Sequence, residues 1–174
     1  MSYSICVEDS GGDCLSIRHS GQIRGNELVD FLSLLDGFCH GFAPEEIEIL
    51  FKQLADRAPV SLCKVTKTLR ISYHTDSLRY YTEEDYALYN KRNHLSLSEE
   101  EFVTAFNEFH IMSWYSLKEL TWEAYTLMRL LTNIKVESSD IYRKEATIID
   151  LEALIDTLEF FEKRGAEQVR LIII

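Results

Sequence analysis

Proline and glycine are scarce in this sequence, two and seven among 174 residues. So few chain breakers exclude a disordered tail or a long structureless linker as the main theme. Basic residues are also short: Lys and Arg total 18 against 29 Asp and Glu, for a formal net charge of −11. A chain this acidic repels phosphate backbones, which argues against direct nucleic-acid binding. The longest basic stretch, residues 57–70, is diluted by apolar residues. No run approaches the ~18 apolar residues of a membrane span. The opening Met1-Ser2-Tyr3-Ser4 has neither the basic nor the apolar region of a secretion signal.

Motifs that carry chemistry are missing as well. There is no Gly-rich phosphate loop, no G-x-S-x-G and no H-E-x-x-H. Five histidines are present, and none pairs with another at i, i+3 or i+4. Cys39-His40 lacks a second pair nearby, so zinc is not expected. Gly21, Ile23 and Glu27 have the late spacing of a calcium loop, but its early ligand positions would be Ser16, Arg18 and Ser20. An arginine there supplies positive charge where calcium needs oxygen. The expectation is therefore no metal, no cofactor and no catalytic set. Four cysteines, Cys6, Cys14, Cys39 and Cys63, form no C-x-x-C pair. Free, mostly buried thiols in a reducing cytoplasm are the simplest account, with a Cys6–Cys14 bridge across a hairpin as the alternative.

What is present is material for a core. Apolar residues make up 46 % of the chain, with nine Phe, nine Tyr and two Trp. That suffices without disulfides or a structural metal. Length and the absence of a composition break place residues 1–174 in one domain.

The elements read as follows. Tyr3–Val7 and Cys14–Arg18 flank the turn cluster Asp9-Ser10-Gly11-Gly12-Asp13, a hairpin signature. Ser20-Gly21 turns again before a short strand at Gln22-Ile23. Asn26 opens a helix striped by Leu28, Phe31, Leu32 and Leu35, with Gly37 near its stop. Pro44 opens another, buried through Ile47, Leu50, Phe51 and Leu54. Residues 60–73 alternate as an extended segment broken near Thr66–Thr68, with 78–81 as a returning strand. A helical segment spans about 83–133, with capping boxes Ser98/Glu101 and Ser116/Glu119. The turn between its parts falls at 111–115, unless one long bent helix runs through.

The end of the chain reads strand, helix, strand: 141–149, then 151–164 with Asp150 as N-cap, then 168–174. Leu151, Leu154, Ile155, Leu158 and Phe161 form its stripe, and Gly165 its C-cap. The unbroken Leu171-Ile172-Ile173-Ile174 run implies an interior strand covered on both faces. The fold class is thus α+β: one domain with a mainly antiparallel or mixed sheet, a central helical segment and a C-terminal strand–helix–strand unit.

Two acidic blocks, Glu83-Glu84-Asp85 and Glu99-Glu100-Glu101, sit in first turns of these helices. They favour the helix dipole, and they also offer a face to a basic partner. The aromatic group Trp114, Tyr115, Trp122 and Tyr125 reads as core rim or as a binding surface. Small size, acidity and missing catalytic motifs point to a non-enzymatic cytoplasmic binding or inhibitor protein of toxin-immunity or anti-defence type. Its partner would be a basic protein, met through Glu83, Glu84, Asp85, Glu99, Glu100, Trp114 and Tyr115. The alternatives are a small enzyme with a dispersed active site and a self-associating assembly subunit.

Overall fold

A computed structural model of the chain describes residues 4–39, 45–58, 61–72, 83–102, 104, 114–135 and 143–173. The expected 78–81 strand, the helix-opening Pro44 and most of the 111–115 turn lie outside them.

The first hairpin forms as its turn residues dictate. β1 (Ile5–Asp9) and β2 (Cys14–Ser16) pair antiparallel, with Cys6 opposite Ser16 and Glu8 opposite Cys14. The Asp9 carboxylate accepts the N–H groups of Gly11 and Asp13 at 3.0 and 2.9 Å, closing the loop on itself. β3 (Arg18–His19) and β4 (Gln22–Ile23) make a second, smaller hairpin. Ser20 and Gly21 both take positive φ, 50° and 79°, as a two-residue turn of this hand requires.

α1 (Asn26–Cys39) follows and runs through Gly37 rather than stopping there. α2 (Glu45–Arg57) buries Ile47, Leu50, Phe51 and Leu54 as its spacing implies. The 60–73 stretch departs from its extended reading. Residues Leu62–Val65 form a short helix, α3, and among the described residues of the stretch only Ile71–Ser72 is strand, β5. Leu62 and Val65, one turn apart, are both buried, and Thr66 Oγ1 donates back to Leu62 O at 2.9 Å. Helical spacing here wins over the weak alternation. α4 (Glu83–Asn93) precedes a helical start at residues 99–102. β6 (Tyr115–Ser116) then separates that start from α5 (Leu117–Asn133), so the two are not one bent helix. Ser116 caps α5 by accepting the Glu119 N–H at 3.4 Å.

The terminal unit needs the largest correction. No strand occupies 143–149: a single helix, α6, runs Lys144–Lys163, and β7 (Gln168–Ile173) ends the described chain. The unit is helix–strand among the described residues. Asp150 is not the N-cap of its own helix but a mid-helix residue, 1 % exposed. Its carboxylate reaches across to the start of α1, accepting Arg24 Nε at 2.8 Å and the Leu28 N–H at 3.1 Å. It therefore satisfies an orphan donor of another helix's first turn. The far end behaves as its sequence indicates. Gly165 has φ 81°, its N–H donates to Glu162 O, and the Ala166 N–H donates to Phe161 O.

The chain is α+β, and its main sheet is mixed. Strand order is β2-β1-β7-β5, with β6 also on β7. β7 is the interior strand: antiparallel to β1 and β6, parallel to β5. Coverage of β7 is unequal. Val169 and Leu171 are fully buried, whereas Arg170 and Ile172 on the opposite face are half-buried. An apolar run does not require two dry faces when a long cation can lie along one of them. The covered face receives α1, α5 and α6. Leu28, Leu127, Leu131, Leu154, Leu158 and Phe161 are buried there with Ile5, Val7 and Leu171 in one continuous core.

The thiols also differ from expectation. Cys39 at the end of α1 is bridged to Cys63 of α3, with Cα atoms 5.6 Å apart, while Cys6 and Cys14 are free. The hairpin register sets Cys6 opposite Ser16 and Cys14 opposite Glu8, so the two thiols are diagonal neighbours that touch without being bridged. Alkylating the unfolded, unreduced protein is expected to modify two thiols, and all four only after reduction. Four modified before reduction would remove the bridge.

Candidate functional site

The acidic blocks sit on a doubled-back pair of helical segments. Asn90 builds the reversal. Its Nδ2 donates to Leu97 O at 2.9 Å, and its Oδ1 accepts the Leu97 N–H at 3.1 Å. His94, at φ 53°, completes the exit from α4. The Ser98/Glu101 box then starts the next segment. Glu101 N–H donates to Ser98 Oγ at 3.2 Å, and Ser98 N–H donates to Glu101 Oε2 at 2.9 Å. Phe102 ties the two segments together. It is fully buried, with ring centroids 6.2 and 5.5 Å from Tyr86 and Tyr89.

This packing leaves the carboxylates outside. Glu83, Glu84, Glu99 and Glu100 are all exposed. They form no hydrogen bond or ion pair through their side chains among the described residues. Asp85 lies in α4, and its side chain is outside the description. Glu83 lies one turn before Tyr86 and Glu99 one turn before Phe102, so the two blocks stand near opposite ends of the pair, on the order of 10 Å apart by helical rise.

Trp114 and Tyr115 have different surroundings. Tyr115 is half-buried in β6, opposite Val169 and packed on the main core. Trp114 is 37 % exposed, and its ring lies 4.1 Å from the Arg170 guanidinium, whose Nε donates to Glu8 at 2.9 Å. Trp114 thus already holds a cation on the half-open face of the sheet. Trp122 and Tyr125, 51 % and 36 % exposed, stand on α5. The Tyr125 hydroxyl donates to Glu159 Oε1 at 2.9 Å, and that bond holds the phenol above its usual range.

Other candidates for chemistry narrow. No group of three His, Cys, Asp or Glu able to hold a metal occurs among the described residues. Cys39 is committed to its bridge, and His40 lies outside the description. The Cys14 thiol is pushed up to about 11, chiefly by burial and then by the neighbouring Cys6, so it is protonated at neutral pH and a poor nucleophile. A recess beside the bridge, lined by Leu32, Asp36, Cys63, Thr66 and Arg70, has a volume of only about 30 Å³. That holds a water, not a substrate.

One buried acid escaped the sequence reading. Glu123 of α5 is 2 % exposed, and its carboxylate accepts both the backbone N–H of Thr68, at 2.9 Å, and the Thr68 hydroxyl. It anchors the loop between α3 and β5 to α5. Burial raises its pKa above the ordinary 4.5, and the Thr68 bonds only partly offset that. The folded state therefore holds this proton more tightly than the unfolded one. The group's contribution falls as pH rises from 4.5 through the raised value, and it is most favourable below both. Glu123→Gln lacks that proton equilibrium. Wild type should lose stability relative to the variant across that window, read by urea unfolding at a series of pH values. A difference independent of pH would refute the raised value.

No protein-family model matches the chain, and no curated protein or solved structure matches it at a significant level.

Proposed function

We propose that this protein is a non-enzymatic, cytoplasmic binding protein whose acidic surface engages a basic protein partner, as an inhibitor of toxin-immunity or anti-defence type would. One observation carries the reading: Glu83, Glu84, Glu99 and Glu100 are exposed and have no internal cation among the described residues, in a chain of net charge −11. Helix stabilisation accounts for acidic first turns, but a cation from outside is still available to every one of these carboxylates. The Cys39–Cys63 bridge bears on the compartment, since bridges seldom persist in a reducing cytoplasm. Trapping thiols directly in the producing cell reads that point separately.

The charge reading has a direct test. Electrostatic steering acts mainly on the association rate and is screened over about 8 Å at physiological salt. Glu99→Lys with Glu100→Lys is expected to slow association with the partner co-purified from the native host, and to flatten its dependence on salt. Folding should barely change, because each exposed charge contributes only a few tenths of a kcal/mol. Glu101 is left in place to keep the cap. Equal rates and equal salt slopes for wild type and variant would confine these glutamates to their helix.

A further inference from the structure

α5 carries a second surface of opposite polarity, which the acidic reading leaves unused. Lys118, Trp122, Tyr125 and Arg129 follow each other at steps of four, three and four residues, so they form one stripe along the helix. All four are exposed. Arg57 of α2 joins them at the far end, where its guanidinium donates to Asn133 O. None of the three cations is in an ion pair among the described residues. Trp122 separates two open clefts. The cleft of about 310 Å³ is shared with Lys118, Tyr125 and Arg129, and Glu162 stands on its α6 wall. The cleft of about 300 Å³ is shared with Arg57, Arg129 and Leu130. In a chain with 29 acids and 18 bases, three cations outside any described ion pair frame a half-exposed Trp, with Glu159 and Glu162 along the α6 side of the stripe.

We infer that this α5 stripe docks an acidic segment of a protein partner, one with carboxylates on either side of an apolar side chain. The apolar group would enter a cleft beside Trp122, and the carboxylates would meet Lys118 at one end and Arg129 and Arg57 at the other. Trp, Tyr and Arg are the residue types in which interface energy concentrates. Lys118 and Arg129 are separated by about 16 Å of helix rise, a span that a short helix or extended segment matches.

Two other occupants fit less well. A second copy laid antiparallel about a two-fold between Trp122 and Tyr125 would set Lys118 against Arg129 of the other chain, like charge on like. A nucleic acid strand carries a charge at every phosphate. It would meet Glu159 and Glu162 along the α6 edge of the stripe, as well as the general negative field. An acidic segment needs only two or three charges, placed where the cations are.

The test uses the whole chain. Random twelve-residue peptides displayed on phage are selected on wild-type protein and counter-selected on a Lys118→Glu/Arg129→Glu variant, whose fold is checked by circular dichroism. The expected consensus has Asp or Glu flanking an aromatic or aliphatic residue. A synthetic peptide of that consensus should shift the indole N–H resonance of Trp122, assigned with Trp122→Phe, and leave that of Trp114 unmoved. Its affinity should fall at least tenfold in the charge-reversed variant and decline with salt. Each of the following would overturn the inference: no enrichment over the counter-selection, a consensus without acids, tighter binding of an oligothymidylate, or concentration-dependent self-association abolished by Arg129→Glu.

Discussion

Asp150→Ala is expected to lower folding stability by about 3–5 kcal/mol, the range for removing one partner of a buried ion pair. Asp150 is 1 % exposed, while the Arg24 side chain is 28 % exposed. The substitution leaves two groups without acceptors: Arg24 Nε, which Asp150 holds at 2.8 Å, and the Leu28 N–H at the start of α1, held at 3.1 Å. Arg24 keeps partial access to water and a 3.4 Å bond to Ala146 O, which tempers its share. The Leu28 N–H is buried and has no such relief. Asp150→Asn should cost less, because an amide oxygen still accepts from Leu28 but no longer balances the arginine. Urea unfolding should show a lower midpoint with little change in slope. A loss below about 1 kcal/mol for the alanine variant would mean that the α6–α1 link is incidental.

The second large effect is expected at Gly25, directly before α1. Its φ of 123° lies where L side chains are strained, and a Cβ there would stand 2.7 Å from the backbone nitrogen of Ile5. That nitrogen belongs to β1, whose pairing with β7 fixes it. A flexible side chain could step aside, but a sheet backbone cannot. Gly25→Ala therefore combines dihedral strain with a forced shift of packed backbone, about 2–5 kcal/mol together. Thermal melting of purified protein checks it. A variant within a degree or two of wild type would show that the approach of α1 to β1 is slack.

These two residues show what the sequence does and does not disclose. Features that close within a few residues were legible. The Ser98/Glu101 box, the Ser20-Gly21 turn and the Gly165 cap each form with partners one turn away. So did the helix stripes, because Leu154, Ile155 and Leu158 reach the core through periodicity alone. Asp150 looked like a cap because Asp before an apolar run usually is one. It is a cap, but of a helix 122 residues earlier, which no local pattern encodes. Glu123 reaches Thr68 across 55 residues and was missed for the same reason. β5, two residues long, owes its existence to a parallel neighbour rather than to its own pattern. Of the candidate surface, Glu83, Glu84, Glu99 and Glu100 lie outside as the charge pattern implies, whereas Trp114 rests on Arg170 and Tyr115 belongs to the core rim. Of the cations beside Trp122, Lys118 and Arg129 stand at helical spacing that the sequence displays, whereas Arg57 joins the stripe only in space.

The position of β7 has a consequence for biosynthesis. Ile5 pairs with Ile173, so the N-terminal strand leaves the ribosome long before its main neighbour exists. β1, β5 and β6 all take their shared partner from residues 168–173, and none of their sheet edges toward it can close sooner. Helices such as α1 can form early, but the nascent chain carries unpaired strand edges until residues 168–173 have emerged. Closing a loop of this length also carries a large entropic cost before the contacts reward it, which slows the final step. Ribosome-bound chains stalled before β7 should therefore stay sensitive to protease in β1. Such chains would depend on holding chaperones in a way that the finished protein does not.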